Sequence, residues 1–220
     1  MQTEPYAKRS LSEYLSAAAS GRPTPGGGSV AALAGALAAS MSSMVAEFTT
    51  GRKKYENVQA EVDRLIPALK EHRNNLLRCV DQDVSAYGEV AAAYKMPRDT
   101  EEEKEERRKA IAEACKTALS VPMDVARESL RVARIAARLS EMGNPQLITD
   151  SGVSAVLCLA AAEAAALNVE VNLAGIKDPC LGGTVRDELG RILSEARTLR
   201  DQVWYKVAHD IDFDGDSVLL

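Results

Sequence analysis

Hydrophobic positions along the chain recur with the 3.6-residue period of a helix, and nowhere do they alternate with strand period for long enough to argue for a sheet. Ser10 followed by Glu13 is a capping-box pattern, Leu11, Tyr14 and Leu15 supply an apolar face, and Gly21 is a natural stop, which together predict a first helix. Pro23, Pro25 and three consecutive glycines then break the chain, after which Ser29 can cap a second helix over about 29–49. From 57 to 95 the period stays helical, with Pro67 the one interior breaker, so a long helix kinked near Pro67 is expected. A fourth helix opens in the charged run 101–109, should be kinked by Pro122 and ends at Gly143, Asn144 and Pro145. A fifth carries Asp150 in its first turn or two and continues to about Ala174, and the last spans roughly 184–209. The acidic tail 210–220 is expected to fray. The pattern predicts an all-α bundle of about six helices, several long and kinked, forming a single domain over 1–220.

Within the second helix Ala31, Gly35, Ala39 and Ser43 recur at four-residue spacing, a groove with almost no side chain that places this helix in the middle of the bundle. Projected at about 100° per residue, the third helix gathers Leu69, Leu76, Val80, Val84, Tyr87, Ala91 and Tyr94 on one broad face, with Asp83 at its edge. A carboxylate so placed needs an ion-pair partner, a neighbouring arginine being the plain choice, or takes an altered pKa. His72 sits at the edge of the same face and reads as a packing residue. The fifth helix carries a polar stripe of Asp150, Ser154, Asn168 and Asn172 through Ala, Val and Leu. That stripe is either a hydrogen-bonded seam or the wall of a pocket.

Composition narrows the function classes. Hydrophobic residues make up 46% but aromatics only 4%, which suits closely packed helices. The formal net charge is -5 with cations scattered among acids, so no basic field exists for a nucleic acid. Four well-separated cysteines without a CxxC pair, and a start bearing Glu4, Lys8 and Arg9 in place of an apolar signal, point to a reducing cytoplasm. Two histidines cannot assemble an ordinary His/Cys zinc cluster, and no metal is expected. The longest apolar stretch, 153–173, holds Glu163, Asn168 and Glu170, so it reads as a buried helix with no membrane partner.

Pro25, Gly26, Gly27, Gly28 and Ser29 end at a helix N-terminus, where free N–H groups favour anions, yet the GK[ST] ending and preceding strand of a nucleotide loop are missing. A tight interhelical turn is the commoner role, and a carboxylate would suit the same geometry. Arg52, Lys53, Lys54 and Tyr55 follow the second helix, where the cations can meet its negative end or an acidic ligand; Lys95 after Tyr94 is open to the same two readings.

Taken together, TPGGGSVAALAGALAASMSSMVAEFT, GRKKY, DVSAYGEVAAAYKMP, SVPMDVA and GNPQLITD, in this order over nearly the whole chain, resemble the cyclodeaminase domain of the formiminotransferase-cyclodeaminase family and its stand-alone methenyltetrahydrofolate cyclohydrolases. The departures are GRKKY for GKKKY and AYKMP for AYKLP, which keep charge or volume. The resemblance implies an all-helical fold, a homodimer, and a folate substrate, possibly polyglutamylated. The absence of room for a formiminotransferase domain favours hydrolysis of 5,10-methenyltetrahydrofolate to 10-formyltetrahydrofolate, with ammonia release from 5-formiminotetrahydrofolate as the alternative and a non-catalytic folate-binding dimer as a third reading. On this expectation Asp83 and Asp150 are acid/base or charge-stabilising groups and Asn144 positions the water or leaving nitrogen. Lys53, Lys54 and Lys95, with Tyr55, then hold the glutamate carboxylates, and Gly26, Gly27, Gly28 and Ser29 form a secondary anion site. Asp150 and Asn168 lie about 27 Å apart on one helix, which assigns Asn168 and Asn172 to a seam or subunit interface. No cofactor is implied.

Overall fold

In the computed structural model, residues 4–211 are described, and they contain six α-helices and no strand. The helices are α1 (Leu11–Ala18), α2 (Gly27–Thr49), α3 (Gln59–Tyr94), α4 (Glu101–Met142), α5 (Ile148–Ile176) and α6 (Pro179–Asp210). Capping boxes at Ser10/Glu13 and Thr100/Glu103 start α1 and α4, and Asp178 caps α6 through the Cys180 and Leu181 amides. Pro67 and Pro122 lie inside unbroken helices, and Asp210 belongs to α6; the rest of the tail expected to fray, 212–220, lies outside the described residues.

Successive long helices run antiparallel. Gly28 abuts Asp83 and Gly35 abuts Leu76, which sets α2 against α3. His72 meets Glu128 and Arg138 meets Glu61, setting α3 against α4, while Gly175 abuts Cys115, setting α5 against α4. Bidentate Arg127–Glu188 and Arg134–Glu195 pairs hold α6 parallel to α4, and Arg186–Glu170 and Arg197–Glu163 hold it antiparallel to α5. Exposed pairs of this kind add little stability each; their repetition fixes register.

As its small-residue stripe predicts, α2 is central, packing on α3, α4 and α5. Ala31, Ala32, Ala38, Ala39, Val45 and Ala46 are buried, and a Cβ on Gly35 would lie 2.9 Å from Leu76 Cδ2 and 3.0 Å from Ser129 Oγ. Ser154 donates to the Ala38 carbonyl (2.8 Å) and shares a hydrogen bond with Ser42 (2.8 Å), so the stripe on α5 is an interhelical seam at this level.

Beneath this core His72 Nδ1 lies 2.6 Å from Glu128 Oε2, and Arg131 hydrogen-bonds the other oxygen of the same buried carboxylate. Burial alone would push Glu128 up, but the His72 hydrogen bond and the His72 and Arg131 charges hold it below the usual carboxylate range. The depressed pKa means that this contribution to stability is present above the ordinary glutamate pKa and is lost as pH falls through the folded value. Glu128→Ala should therefore cost about 2 kcal/mol at neutral pH, read as a lower Tm, with the deficit shrinking on acidification. An unchanged Tm at pH 7 would show the pair to be inert.

Candidate functional site

Helix lengths create the site. Gly27 begins α2 at the level of Asp83 on α3 and Asn168 on α5, yet α3 continues to Tyr94 and α5 to Ile176, about 16 Å and 12 Å further. The space above the glycine turn is thus enclosed by three helices and floored by the start of the fourth. It forms a cavity of about 610 Å³ lined by Pro23, Thr24, Gly26, Gly27, Asp83, Tyr87, Tyr94, Lys95, Asn168, Val171 and Asn172, among others. Its size is that of sites for drug-sized ligands.

Asp83 is the acid at its floor. A Cβ on Gly28 would lie 2.1 Å from Asp83 Oδ1 and 2.8 Å from its Cγ, so only glycine lets the carboxyl group reach the start of α2. Burial pushes the Asp83 pKa up, opposed in part by a hydrogen bond from the Ser29 backbone N–H. No cationic side chain forms an ion pair with it among the described residues, which corrects the expected arginine partner. Behind it, the buried Tyr14 hydroxyl shares a 3.0 Å hydrogen bond with Ser29 Oγ, fixing the first turn of α2.

The face expected to carry the α3 core divides in two. Leu69, Leu76 and Val80 are buried, whereas Tyr87 and Tyr94 are 44% and 50% exposed and form the cavity wall. Asn168 and Asn172 also face the cavity, their Nδ2 groups donating to the Ala164 and Asn168 carbonyls at 2.9 and 3.0 Å. The two amides, expected at a seam or subunit interface, thus share a cavity with Asp83.

The other expected residues lie at the opposite end of the bundle. The 23 residues of α2 put about 33 Å between Gly27 and Thr49, beyond which come Lys53, Lys54 and Tyr55. There the Tyr55 hydroxyl and the Gln146 amide each donate to Asn144 Oδ1 at 3.1 Å, and the Asn144 amide donates to Thr49 Oγ1 at 2.9 Å. Asn144 thus caps the short turn Pro145–Leu147 beside a second cavity of about 400 Å³, which Lys54 and Tyr55 also line. Asp150, in the first turn of α5, is at this end too. Within one chain the expected catalytic group does not come together: Asp83 and Lys95 share one end, Asp150, Asn144, Lys53 and Lys54 the other.

Burial disfavours the thiolate at two cysteines, pushing Cys79 up to about 11 and Cys158 up to about 12. Among the described residues no group of three or more His, Cys, Asp or Glu side chains could hold a metal ion.

Comparison with known proteins gives a single pattern. The family model described as formiminotransferase-cyclodeaminase matches residues 10–191. The chain is 36% identical over 202 residues to a methenyltetrahydrofolate cyclohydrolase of Methylorubrum extorquens, covering 92% of this chain and 97% of that one. It is 32% identical to the formimidoyltransferase-cyclodeaminase of Rattus norvegicus over 79% of this chain but only 32% of that longer protein. The crystal structure of a formiminotetrahydrofolate cyclodeaminase from Thermotoga maritima superposes with a TM-score of 0.76 at 32% identity, covering 97% of this chain and 98% of that one.

Two substitutions test the floor of the cavity. Asp83→Asn keeps the shape and the Ser29 hydrogen bond but removes the buried charge. Because the folded pKa is raised, the ionised acid costs stability as pH rises through it, so the variant should melt higher than wild type at pH 7, with the gain vanishing at acidic pH. Gly28→Ala should expel the carboxyl group and lower the Asp83 pKa toward the usual range, readable by carbon-detected NMR titration; an unmoved pKa would refute the close approach.

Proposed function

The chain belongs to the formiminotransferase-cyclodeaminase family, and we propose that it is an enzyme of folate one-carbon metabolism, a methenyltetrahydrofolate cyclohydrolase that converts 5,10-methenyltetrahydrofolate to 10-formyltetrahydrofolate. The observation that carries this reading is Asp83: a carboxyl group of raised pKa on the floor of a cavity of about 610 Å³ walled by Tyr87 and Tyr94. The near end-to-end match to a stand-alone cyclohydrolase supports it.

The substrate carries an amidinium carbon between N5 and N10. Ionised Asp83 stabilises that cation and, made more basic by burial, accepts a proton as water adds to the carbon. The neutral carbinolamine then collapses: the bond from carbon to N5 breaks, its electron pair and the Asp83 proton go to N5, and the hydroxyl proton leaves as the formyl group forms. One proton is released to solvent in total. Tyr87 and Tyr94 offer faces for the flat parts of the substrate, Asn168 and Asn172 offer amides, and Lys95 can hold a glutamate carboxylate. The reaction is redox-neutral, and we assign it no cofactor. The likeness to the Thermotoga maritima structure favours one alternative, cyclodeaminase activity on 5-formiminotetrahydrofolate, in which N10 closes on the formimino carbon and ammonia leaves.

We further assign the protein as one domain, acting as a homodimer in a reducing cytoplasm, where its four free cysteines would persist. Val30, Leu33, Leu37, Met41, Met44 and Phe48 fall within about 80° of arc on the outer side of α2. Val153, Val156, Ala160, Leu167 and Val171 form a similar strip on α5, with Leu167 72% and Val171 73% exposed. The two strips lie side by side as a charge-free patch of about 27 Å by 20 Å, at the upper limit of what a soluble monomer exposes. Both helices are long and apolar enough to cross a membrane, but α3, α4 and α6 run beside them with exposed ion pairs, so the patch fits a second copy better than lipid.

Loss of the near-ultraviolet absorbance of 5,10-methenyltetrahydrofolate should accelerate over the spontaneous rate with purified protein, and Asp83→Asn should lower kcat by about 100-fold. Appearance of that absorbance from 5-formiminotetrahydrofolate, with ammonia, would establish the alternative; silence in both assays defeats the enzymatic reading. Leu37→Glu with Leu167→Glu should halve the mass measured by light scattering, and a monomeric wild-type protein would refute the dimer.

A further inference from the structure

We infer that each reaction centre is shared between two subunits, with Asp83 of one chain acting together with Asp150 of the partner subunit. The inference rests on the function and dimer proposed above. Asp150 and Asn168 are eighteen positions apart on α5, which is five whole turns, so they share one angular position beside the exposed strip. Asn168 faces the Asp83 cavity at one end of the strip, and Asp150 occupies the equivalent place at the other. Val171 belongs both to the strip and to the cavity lining, so whatever covers the patch also covers the cavity mouth.

The patch is self-complementary. Gly27 abuts Asn168 and Ser154 bonds Ala38, so α2 and α5 are antiparallel, and each presents an uncharged strip of about 27 Å. A two-fold axis lying in the interface at the middle of the patch and perpendicular to the helices lays each strip against its own copy and exchanges their ends. That operation sets the partner's Asp150 opposite Asn168 and brings the partner's Lys53 and the partner's Lys54 to the same mouth. The cations then lie near an anionic substrate tail, and the acid near the amidinium. Chemistry-bearing residues that one chain separates by about 33 Å become neighbours.

In this arrangement the two carboxylates divide the proton traffic. Asp83 takes the proton of the attacking water and returns it to N5 as the bond from carbon to N5 breaks. The hydroxyl proton of the carbinolamine passes to the partner's Asp150 and on to solvent, so charge balances with one proton released.

The test is complementation. Asp83→Asn and Asp150→Asn, both isosteric, are each assayed as homodimers on 5,10-methenyltetrahydrofolate, with dimer mass checked by light scattering. A heterodimer carrying one of each is isolated through two different tags. Each homodimer should retain about one hundredth of wild-type activity or less. The heterodimer should recover about half, because one of its two centres has both acids and the other has neither. A heterodimer as inactive as its parents would overturn the shared centre, as would wild-type activity in Asp150→Asn. Full activity in Asp83→Asn would instead sink the assignment of the cavity itself, and the shared centre with it.

Discussion

Everything in this molecule depends on how closely α2 can be approached. Its inward face is glycine, alanine and serine, and at Gly35 a single added carbon would collide with Leu76 and Ser129. Helices brought this near gain dispersion contacts along their whole length, which compensates for a core almost without aromatics. Such a helix can sit among three others at once, and its ends then decide what the others enclose. Because the glycine run starts α2 short of the ends of α3 and α5, three helices overhang a place that the fourth does not fill. The cavity is a consequence of unequal helix lengths around a slender centre.

At the floor of that cavity two requirements oppose each other. Burial makes an ionised carboxylate unfavourable, and a core optimised for stability would replace Asp83 by an amide or an apolar residue. The structure keeps the acid, opens Gly28 to admit it, and supplies one backbone N–H from the first turn of α2, whose dipole favours a negative charge. A single N–H offsets only part of the cost. The remaining upward shift makes the group a better proton acceptor, which is what addition of water to a cationic carbon requires. Glu128 shows the contrary choice, a buried acid satisfied by His72 and Arg131 and therefore held ionised.

Most helix positions were legible in the sequence because glycines and period agree, and the slender face of α2 was legible from its spacing alone. The caps were less so, since α2 starts at Gly27 after Gly26 with Ser29 already inside it, and α6 starts at Pro179 behind the Asp178 cap, ahead of the expected 184. What periodicity could not distinguish was the wall of a core from the wall of a cavity: Tyr87 and Tyr94 continue the apolar face of Leu76 and Val80, yet they stay half-exposed and line the cavity. The arginine expected for Asp83 failed because a projection shows the helix that carries a residue and not the one it meets. The division of the site was within reach. The rise per residue that separates Asp150 from Asn168 also separates Gly27 from Lys53, so the motifs could not have met within one chain. Asn168 and Asn172 were set apart from the reaction because Asp150 was taken as its centre.

The distribution of apolar surface on α2 and α5 is the reverse of what a stable monomer needs. Their buried sides are mostly small residues, while Val30, Leu37, Phe48, Leu167 and Val171 face outward. At about 25 cal/mol per Å² the larger side chains contribute to folding only once another surface covers them. Small residues inside allow close helices, and large ones outside then require a partner; both follow from the same two helices. If that partner is a second copy related by a two-fold axis, covering the patch and joining the separated halves of the site are one event. Stability and activity would then depend on protein concentration together, because the interface that completes the burial also completes the chemistry.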